Sequence, residues 1–333
     1  MKHRLLASAL ACVMVASSGI ALAVSGPVSA SPLTTVHFVY DFPGPDMELV
    51  PLVVGIDHGF FKSAGLKVVV SFPPSTSTTS QELATGTGDI GFITTSDMAV
   101  AVQAKAPLVS IANYSMTNNW GLFAKPGSKL TLANLKGKKL FSWGDTWTNA
   151  MLPFVYKKAG LKASDVTIIT ASNDMPLLLA GKIDFTTSTT NYAIPGIVGA
   201  TGKQPVGISG AAAGVPNIPI WVYAVTKSYA KQHGSTARAF LKAVLRATKW
   251  AAANPIAAAA EFTKMYPKSG YSKAYNVLGW KTTIPLLTNT AGKYFIQTDQ
   301  QWRLLNQGLL ATKQIKSAPS PASYYTNAFL PTQ

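Results

Sequence analysis

Cysteine is almost missing: the 333 residues hold one, Cys12. It lies within an apolar N-terminal run, so the remaining chain can build no disulfide, thiolate metal site or cysteine nucleophile. Acids are scarce as well, 13 against 29 Lys and Arg, for a net charge of +16. A chain with few carboxylates has few native carboxylate partnerships to lose in acid, which suits an acidic setting. Arginine is limited to Arg4, Arg238, Arg246 and Arg303. Nucleic-acid binders cluster Lys and Arg and read phosphates with arginine forks. Here the lysines are dispersed, and no nucleic-acid partner is expected. Beyond His3, only His37, His58 and His233 remain, and neither a Ser-His-Asp triad nor a metal set has supporting spacing. No catalytic residue, metal ligand or cofactor is therefore expected, and the chain is not read as an enzyme. No segment after the N-terminus is long and apolar enough to span a membrane.

The first residues have the form of a secretory leader. Lys2, His3 and Arg4 make a basic head, Leu5 to Val24 an apolar run, and Ala21-Leu22-Ala23 and Val28-Ser29-Ala30 two small-x-small cleavage sites. Residues 1–30 are read as a signal peptide, cut after Ala23 or Ala30. The residues before Cys12, Ala9-Leu10-Ala11, do not suit a lipid-anchor signal. Without Lys2 and Arg4, 27 bases face 13 acids, still +14. A secreted protein, periplasmic or at the cell surface, is expected. Its cationic character would favour electrostatic association with an anionic surface.

One pattern occurs twice. Gly86 to Asp97 reads GTGDIGFITTSD, and 95 positions later Gly181 to Tyr192 reads GKIDFTTSTTNY. Upstream, Ala64-Gly65-Leu66-Lys67 recurs at the same offset as Ala159-Gly160-Leu161-Lys162. Each copy reads as an amphipathic helix (about 49–63 and 149–158), a glycine C-cap, a β-branched strand (67–72 and 166–170), a loop, a short helix closing at Gly86 or Gly181, and a strand ending in hydroxyl residues. Such alternation indicates an α/β fold with largely parallel sheets, whose ligands bind beyond the carboxyl ends of the strands. Ser96 is placed to cap a helix starting near Met98, and its free N–H groups would favour an anionic group. Two similar lobes would then aim hydroxyl-rich strand ends at one cleft, unless those hydroxyls only cap helices.

The order and spacing of several segments resemble the solute-binding proteins of ABC importers, in the nitrate, sulfonate, taurine and thiamine-pyrimidine group. They are VYDFPGPD, GIDHGFFKSAGLKVVV, ELATGTGDIGFI, LANLKGKKLFSW, RAFLKAVLRATKWAAANP and ASYYTNAFL. The resemblance implies a two-lobe periplasmic-binding-protein fold of type II, each lobe a mixed, mostly parallel sheet flanked by helices. Lobe one would be 33–123 plus 224–333 and lobe two 124–223, with crossings near Phe123-Ala124 and Trp221-Tyr223. It also implies a monomer that closes on a small ligand and docks on a permease served by an ATPase.

In that fold the cleft is lined by loops after strands. The candidate ligand residues are Asp41, Phe42, Thr94, Thr95, Ser96 and Trp120 from lobe one. Trp143, Asp145, Trp147, Asn173, Asp174, Thr189, Asn191 and Tyr192 come from lobe two, and Trp221 and Tyr223 from the return crossing. Rings stack on flat ligands, and Tyr and Trp keep a polar edge. Core packing is the other reading for each aromatic, and helix or turn capping for each Asp. No arginine falls in these loops, whereas a held sulfonate or carboxylate often recruits an arginine fork. This favours a neutral or cationic ring compound such as an aminopyrimidine, and FPGPD looks like the pyrimidine-precursor branch. That branch commonly carries His shortly after Pro-Asp, where this chain has Met47 and Glu48. Sulfonate, taurine or nitrate binding through hydroxyls and helix N-termini is the alternative, and a surface sensor or scaffold on the same fold is a further one. A fungal branch that makes the thiamine pyrimidine uses a Cys-rich segment absent here.

Overall fold

The computed structural model describes residues 32–171 and 173–332, apart from the side chains of Thr76 and Ser77. The expected leader lies outside these residues. In chain order the first half comprises β1 (Thr34–Val39), α1 (Val50–Asp57), α2 (Phe60–Ser63), β2 (Leu66–Ser71), α3 (Thr76–Thr85), β3 (Ile90–Thr94), α4 (Thr95–Gln103) and β4 (Leu108–Asn113). Next come β5 (Trp120–Ala124), β6 (Lys139–Phe141), α5 (Thr146–Ala159), β7 (Thr167–Ile169), α6 (Met175–Leu179), β8 (Phe185–Thr189), α7 (Thr190–Thr201) and β9 (Val206–Ser209). The chain ends with β10 (Trp221–Thr226), α8 (Lys227–Gln232), α9 (Gly234–Ala253), α10 (Pro255–Met265), α11 (Lys273–Thr283) and α12 (Asp299–Ala311). The helix expected over 49–63 is divided at Gly59, which is left-handed.

Two five-stranded sheets share one plan: β2-β1-β3-β10-β4 and β7-β6-β8-β5-β9. In each, three strands run parallel and the fourth is antiparallel to both neighbours. The antiparallel member is the strand by which the chain enters that sheet from the other one, β10 in the first and β5 in the second. The sequence repeat is this shared plan. Strands β3 and β8 begin 95 residues apart, as do α4 and α7. Gly86 and Gly181 both take positive φ, +78° and +69°, a conformation that costs a side chain with a Cβ. The aspartates three residues on do equivalent work. Asp89 accepts from the backbone N–H of His37 at 2.7 Å, and Asp184 from that of Lys139 at 2.8 Å. Each backbone N–H of the pair, Asp89 and Asp184, in turn donates to the carbonyl of the same strand at 2.9 Å. Each aspartate therefore pins the third strand in its sheet's order to the second, β3 to β1 and β8 to β6.

The first crossing lies between Asn113 and Trp120, earlier than Phe123-Ala124, because β5 is already hydrogen-bonded between β8 and β9. The return lies between Ser209 and Trp221. One buried cluster fills the first sheet and its helices, around Phe38, Phe61, Tyr223, Phe240 and Trp280. A second is continuous across both sheets, joining Ile93 and Met98 to Trp120, Leu140 and Trp147, with Trp302 and Leu305 of α12. The terminal helices thus bridge the halves: α11 packs on α7, and α12 on α5 and α4.

Candidate functional site: an acidic cleft between the sheets

The carboxyl ends of the two sheets meet. After β1, Asp46 starts a helical turn by accepting from Glu48 N–H at 2.8 Å, and it also accepts from Tyr40 Oη at 2.6 Å. Tyr192, on α7 of the other sheet, donates its hydroxyl to the same carboxylate. Asn191 donates to Glu48 Oε1 at 2.9 Å and accepts from Asn119 at 2.8 Å. After β3, Thr94 caps α4 by accepting from Asp97 N–H at 3.0 Å. Across the cleft, Thr146 donates to Asp97 Oδ1 at 2.6 Å and shares a hydrogen bond with Ser96 at 3.0 Å. Asp145 caps α5 by accepting from Thr148 N–H at 2.7 Å.

Five carboxyl groups therefore collect where the sheets face each other: Asp41, Asp46, Glu48, Asp97 and Asp145. The first three are buried, at 3%, 1% and 4% exposure. Among the described residues none of the five pairs with a cation, whereas Asp57, Asp165, Asp184 and Asp299 each meet a Lys or Arg, and Asp89 and Glu261 each meet a histidine. A chain poor in acids and rich in bases thus concentrates unneutralised carboxyls at one place. Burial pushes each of the five above the ordinary carboxylate range. Asp97 adds to the rise at Asp41, and Asp46 to that at Glu48. Three donors oppose the rise at Asp46, the Tyr40 and Tyr192 hydroxyls and the Glu48 N–H, and Asn191 opposes that at Glu48.

Three buried polar atoms have no partner in the protein: Asp41 Oδ1 and Tyr114 Oη, on residues that feel the charge of Glu48, and Asn119 Oδ1, on the residue that donates to Asn191. The rings Phe92, Tyr40 and Tyr114 pack in the first core, and of this aromatic group only Trp221 is part-exposed. Phe92 stacks on Tyr40 at 5.1 Å and on Trp221 at 6.0 Å, and meets Tyr114 edge-on at 5.0 Å. Trp221 is half-buried and hydrogen-bonds to Asp41. A small molecule bringing hydrogen-bond donors and positive charge would satisfy the orphaned atoms and balance the carboxyls.

Among the residues expected from sequence, Asp41, Thr94, Ser96, Asp145, Asn191, Tyr192 and Trp221 come together here. Phe42 is exposed and faces the Tyr192 ring at 6.3 Å. Thr189 ends β8 at the N-cap of α7, making no side-chain cap bond. Trp143 is 45% exposed, edge-on to Phe141. Other candidates pack or brace instead. Tyr223 sits among Phe38, Phe92, Phe240 and Phe295 in the first core. Trp120, which hydrogen-bonds to Thr148, and Trp147 belong to the second core. Thr95 donates to the carbonyl of Pro219 at 3.0 Å, bracing the return segment. Asp174 accepts from Thr186 at 2.7 Å, and Asn173 from Met175 N–H at 3.0 Å. The capping role expected of Ser96 falls to Thr94, because α4 starts at Thr95.

Sequence reasoning passed over Tyr40, Asp46, Glu48, Asp97, Tyr114 and Thr146. One signal was available: acids are so few that several close to predicted strand ends are notable. His37 and His58 each have a carboxylate partner. The partners are Asp89 at 3.2 Å and Glu261 at 2.9 Å, and both pairs stand apart from the cleft acids. Among the described residues no group of His, Cys, Asp and Glu is arranged to hold a metal ion, and no helix is long and apolar enough to cross a membrane.

Comparison with known proteins agrees with this architecture. The chain is 23% identical over 240 residues to a putative thiamine biosynthesis protein of Haemophilus influenzae, covering 72% of this chain and 76% of that protein. It is 23% identical over 238 residues to the 4-amino-5-hydroxymethyl-2-methylpyrimidine phosphate synthase THI13 of Saccharomyces cerevisiae, covering 68% and 70%. Its fold superimposes on the periplasmic aliphatic sulphonate binding protein SsuA of Escherichia coli with a TM-score of 0.70, at 16% identity, over 90% of this chain and 93% of that one. The fold is that of periplasmic binding proteins. The NMT1/THI5-like family model matches residues 46–258, and the chain belongs to that family.

Proposed function

We propose that this protein is an extracytoplasmic solute-binding protein. It captures a small nitrogenous heteroaromatic, of the thiamine-pyrimidine-precursor type, between its two sheets and delivers it to an ABC import permease. One observation carries the choice of ligand: five carboxyls at the cleft, three of them buried, without a cation among them. An aminopyrimidine is flat, brings amino donors, and takes a proton readily beside a carboxylate. The part-exposed Trp221 ring, backed by Phe92, suits a flat ring, and Asp41 Oδ1 and Asn119 Oδ1 suit its donors. The names of the Haemophilus and yeast relatives point to the same chemistry. A sulfonate or nitrate would meet carboxyl groups and no cation here. Binding is favoured over catalysis, although the yeast relative is named a synthase. No cysteine follows Cys12, and His37 and His58 are each engaged by a carboxylate away from the cleft.

Thermal unfolding against a panel tests this. The panel holds 4-amino-5-hydroxymethyl-2-methylpyrimidine, thiamine, taurine, an alkanesulfonate and nitrate. A ligand present at 100 times its dissociation constant adds about 2.7 kcal/mol, or about 4 °C for a chain of this length. A shift with the pyrimidine and none with the anions is the expected result. A shift with the anions alone overturns the ligand assignment, and turnover of the pyrimidine overturns the binding role.

A further inference from the structure

We infer a second, anionic binding site on the outer face of α9: a groove that takes a linear, base-free phosphate polymer. The inference is independent of the cleft ligand. Helix α9 is the most buried long helix, with Phe240, Leu241, Val244, Leu245 and Thr248 turned inward. Its exposed stripe carries Arg238, Lys242, Arg246 and Lys249 in succession, at spacings of four, four and three residues. An exposed helix stripe ordinarily alternates charge, because like charges four apart repel. Here no acid interrupts the series, and among the described residues none of the four has a carboxylate partner. The fold uses these cations only against aromatic rings and, for Arg238, the carbonyl of Ala328, which leaves their charge unneutralised and open to an external anion.

The shape narrows the class of anion. The C-terminal residues Phe329, Leu330, Pro331 and Thr332 run beside the stripe and turn it into a groove of about 490 Å³. At 1.5 Å rise per residue the four cations span roughly 16 Å, a line rather than a point. A single small anion would use one or two of them, whereas a chain of phosphates uses all. A groove also admits a chain while keeping a flat bilayer surface away from its floor. The aromatic rings at hand are already covered by these cations: Phe60 by Arg246 at 4.1 Å, Phe329 by Arg238 at 5.1 Å and Tyr294 by Lys249 at 5.8 Å. With Phe60 and Phe329 buried and Tyr294 half-buried beside Lys249, the groove offers charge before stacking surface, so backbone charge is what it reads.

The probe is long-chain inorganic polyphosphate, titrated against the full protein by calorimetry at several salt concentrations. Neutralising about four phosphates gives a log–log salt slope near −3. The double substitution Lys242→Gln/Lys249→Gln, at exposed positions, is expected to halve that slope and to weaken binding at least tenfold at about 0.1 M salt. An unchanged unfolding midpoint would show the fold intact. Lys203→Gln/Lys268→Gln removes the same charge elsewhere and should change affinity less than twofold. Equal losses in both double variants would reduce the effect to net charge and overturn the site. So would full competition by equimolar inorganic monophosphate, binding to anionic vesicles but not to polyphosphate, or tighter binding of a single-stranded oligonucleotide of equal charge.

Discussion

Replacing Asp41 by Asn separates what the cleft does for the fold from what it does for a ligand. Asp41 is 3% exposed, one of its oxygens has no partner, and its surroundings include Asp97, Glu48 and Asp145. Burial and the neighbouring carboxyls push it well above the ordinary carboxylate range, so holding a charge or an unpartnered oxygen there costs the fold, about 1–3 kcal/mol for an unsatisfied buried acceptor and more for a charged one. Asparagine keeps the shape, still accepts from Trp221, and offers an N–H to the neighbouring carboxyls. The unliganded variant should therefore unfold about 2–5 °C higher than the parent at pH 7.5. The same change removes a charge-assisted hydrogen bond to a cationic ligand, about 1.5–3 kcal/mol, so affinity for the aminopyrimidine should fall about 10- to 150-fold. Differential scanning fluorimetry and calorimetric titration read the two effects. A variant that is less stable and binds as well as the parent would make Asp41 a structural acceptor and refute the reasoning.

Acidification gives a second test. The folded-state carboxyls at Asp41, Asp46, Glu48, Asp97 and Asp145 lie above their unfolded values, so the native state takes up protons first as pH falls. Stability of the unliganded protein should then rise from pH 7.5 to about 5 and level off near pH 4, where the unfolded carboxyls also protonate. A steady decline over that range in a pH series of melting curves would contradict it. Trp147→Ala should cost about 3–5 kcal/mol in urea unfolding. Trp143→Ala, at an exposed position, should stay within about 0.5 kcal/mol and register in ligand affinity instead. Asp89→Ala and Asp184→Ala should each lose about 1–2 kcal/mol, since each removes the same strand anchor in its own sheet. A large effect in one and none in the other would dissolve the equivalence of the repeats.

Much of the fold could be read because it is written twice. The 95-residue offset survives in the starts of β3 and β8 and of α4 and α7, and the repeated aspartate has one local job in both copies. Where the chain crosses between sheets was harder to place. Trp120 to Ala124 is apolar enough for either sheet, and only its pairing with β8 and β9 decides. The cleft was half legible. Hydroxyl and Asn residues at strand ends announced it, and the lack of arginine hinted at the sign of its ligand. Which tryptophans would be swallowed by the core depends on α12 arriving from 150 residues away to cover α5, and no local pattern encodes that. Asp46 was read only as part of the FPGPD segment, and Glu48 only as a departure from a family pattern. Their meaning comes from Tyr192 and Asn191 on the facing sheet.

The central claim is that the cleft selects positive charge. Its most direct test is calorimetric titration of the purified protein, side by side, with 4-amino-5-hydroxymethyl-2-methylpyrimidine and with an alkanesulfonate of similar size. The account predicts saturable binding of the pyrimidine, weakened by Asp41→Asn, and no heat from the sulfonate. Binding of the sulfonate with the pyrimidine inert would contradict it.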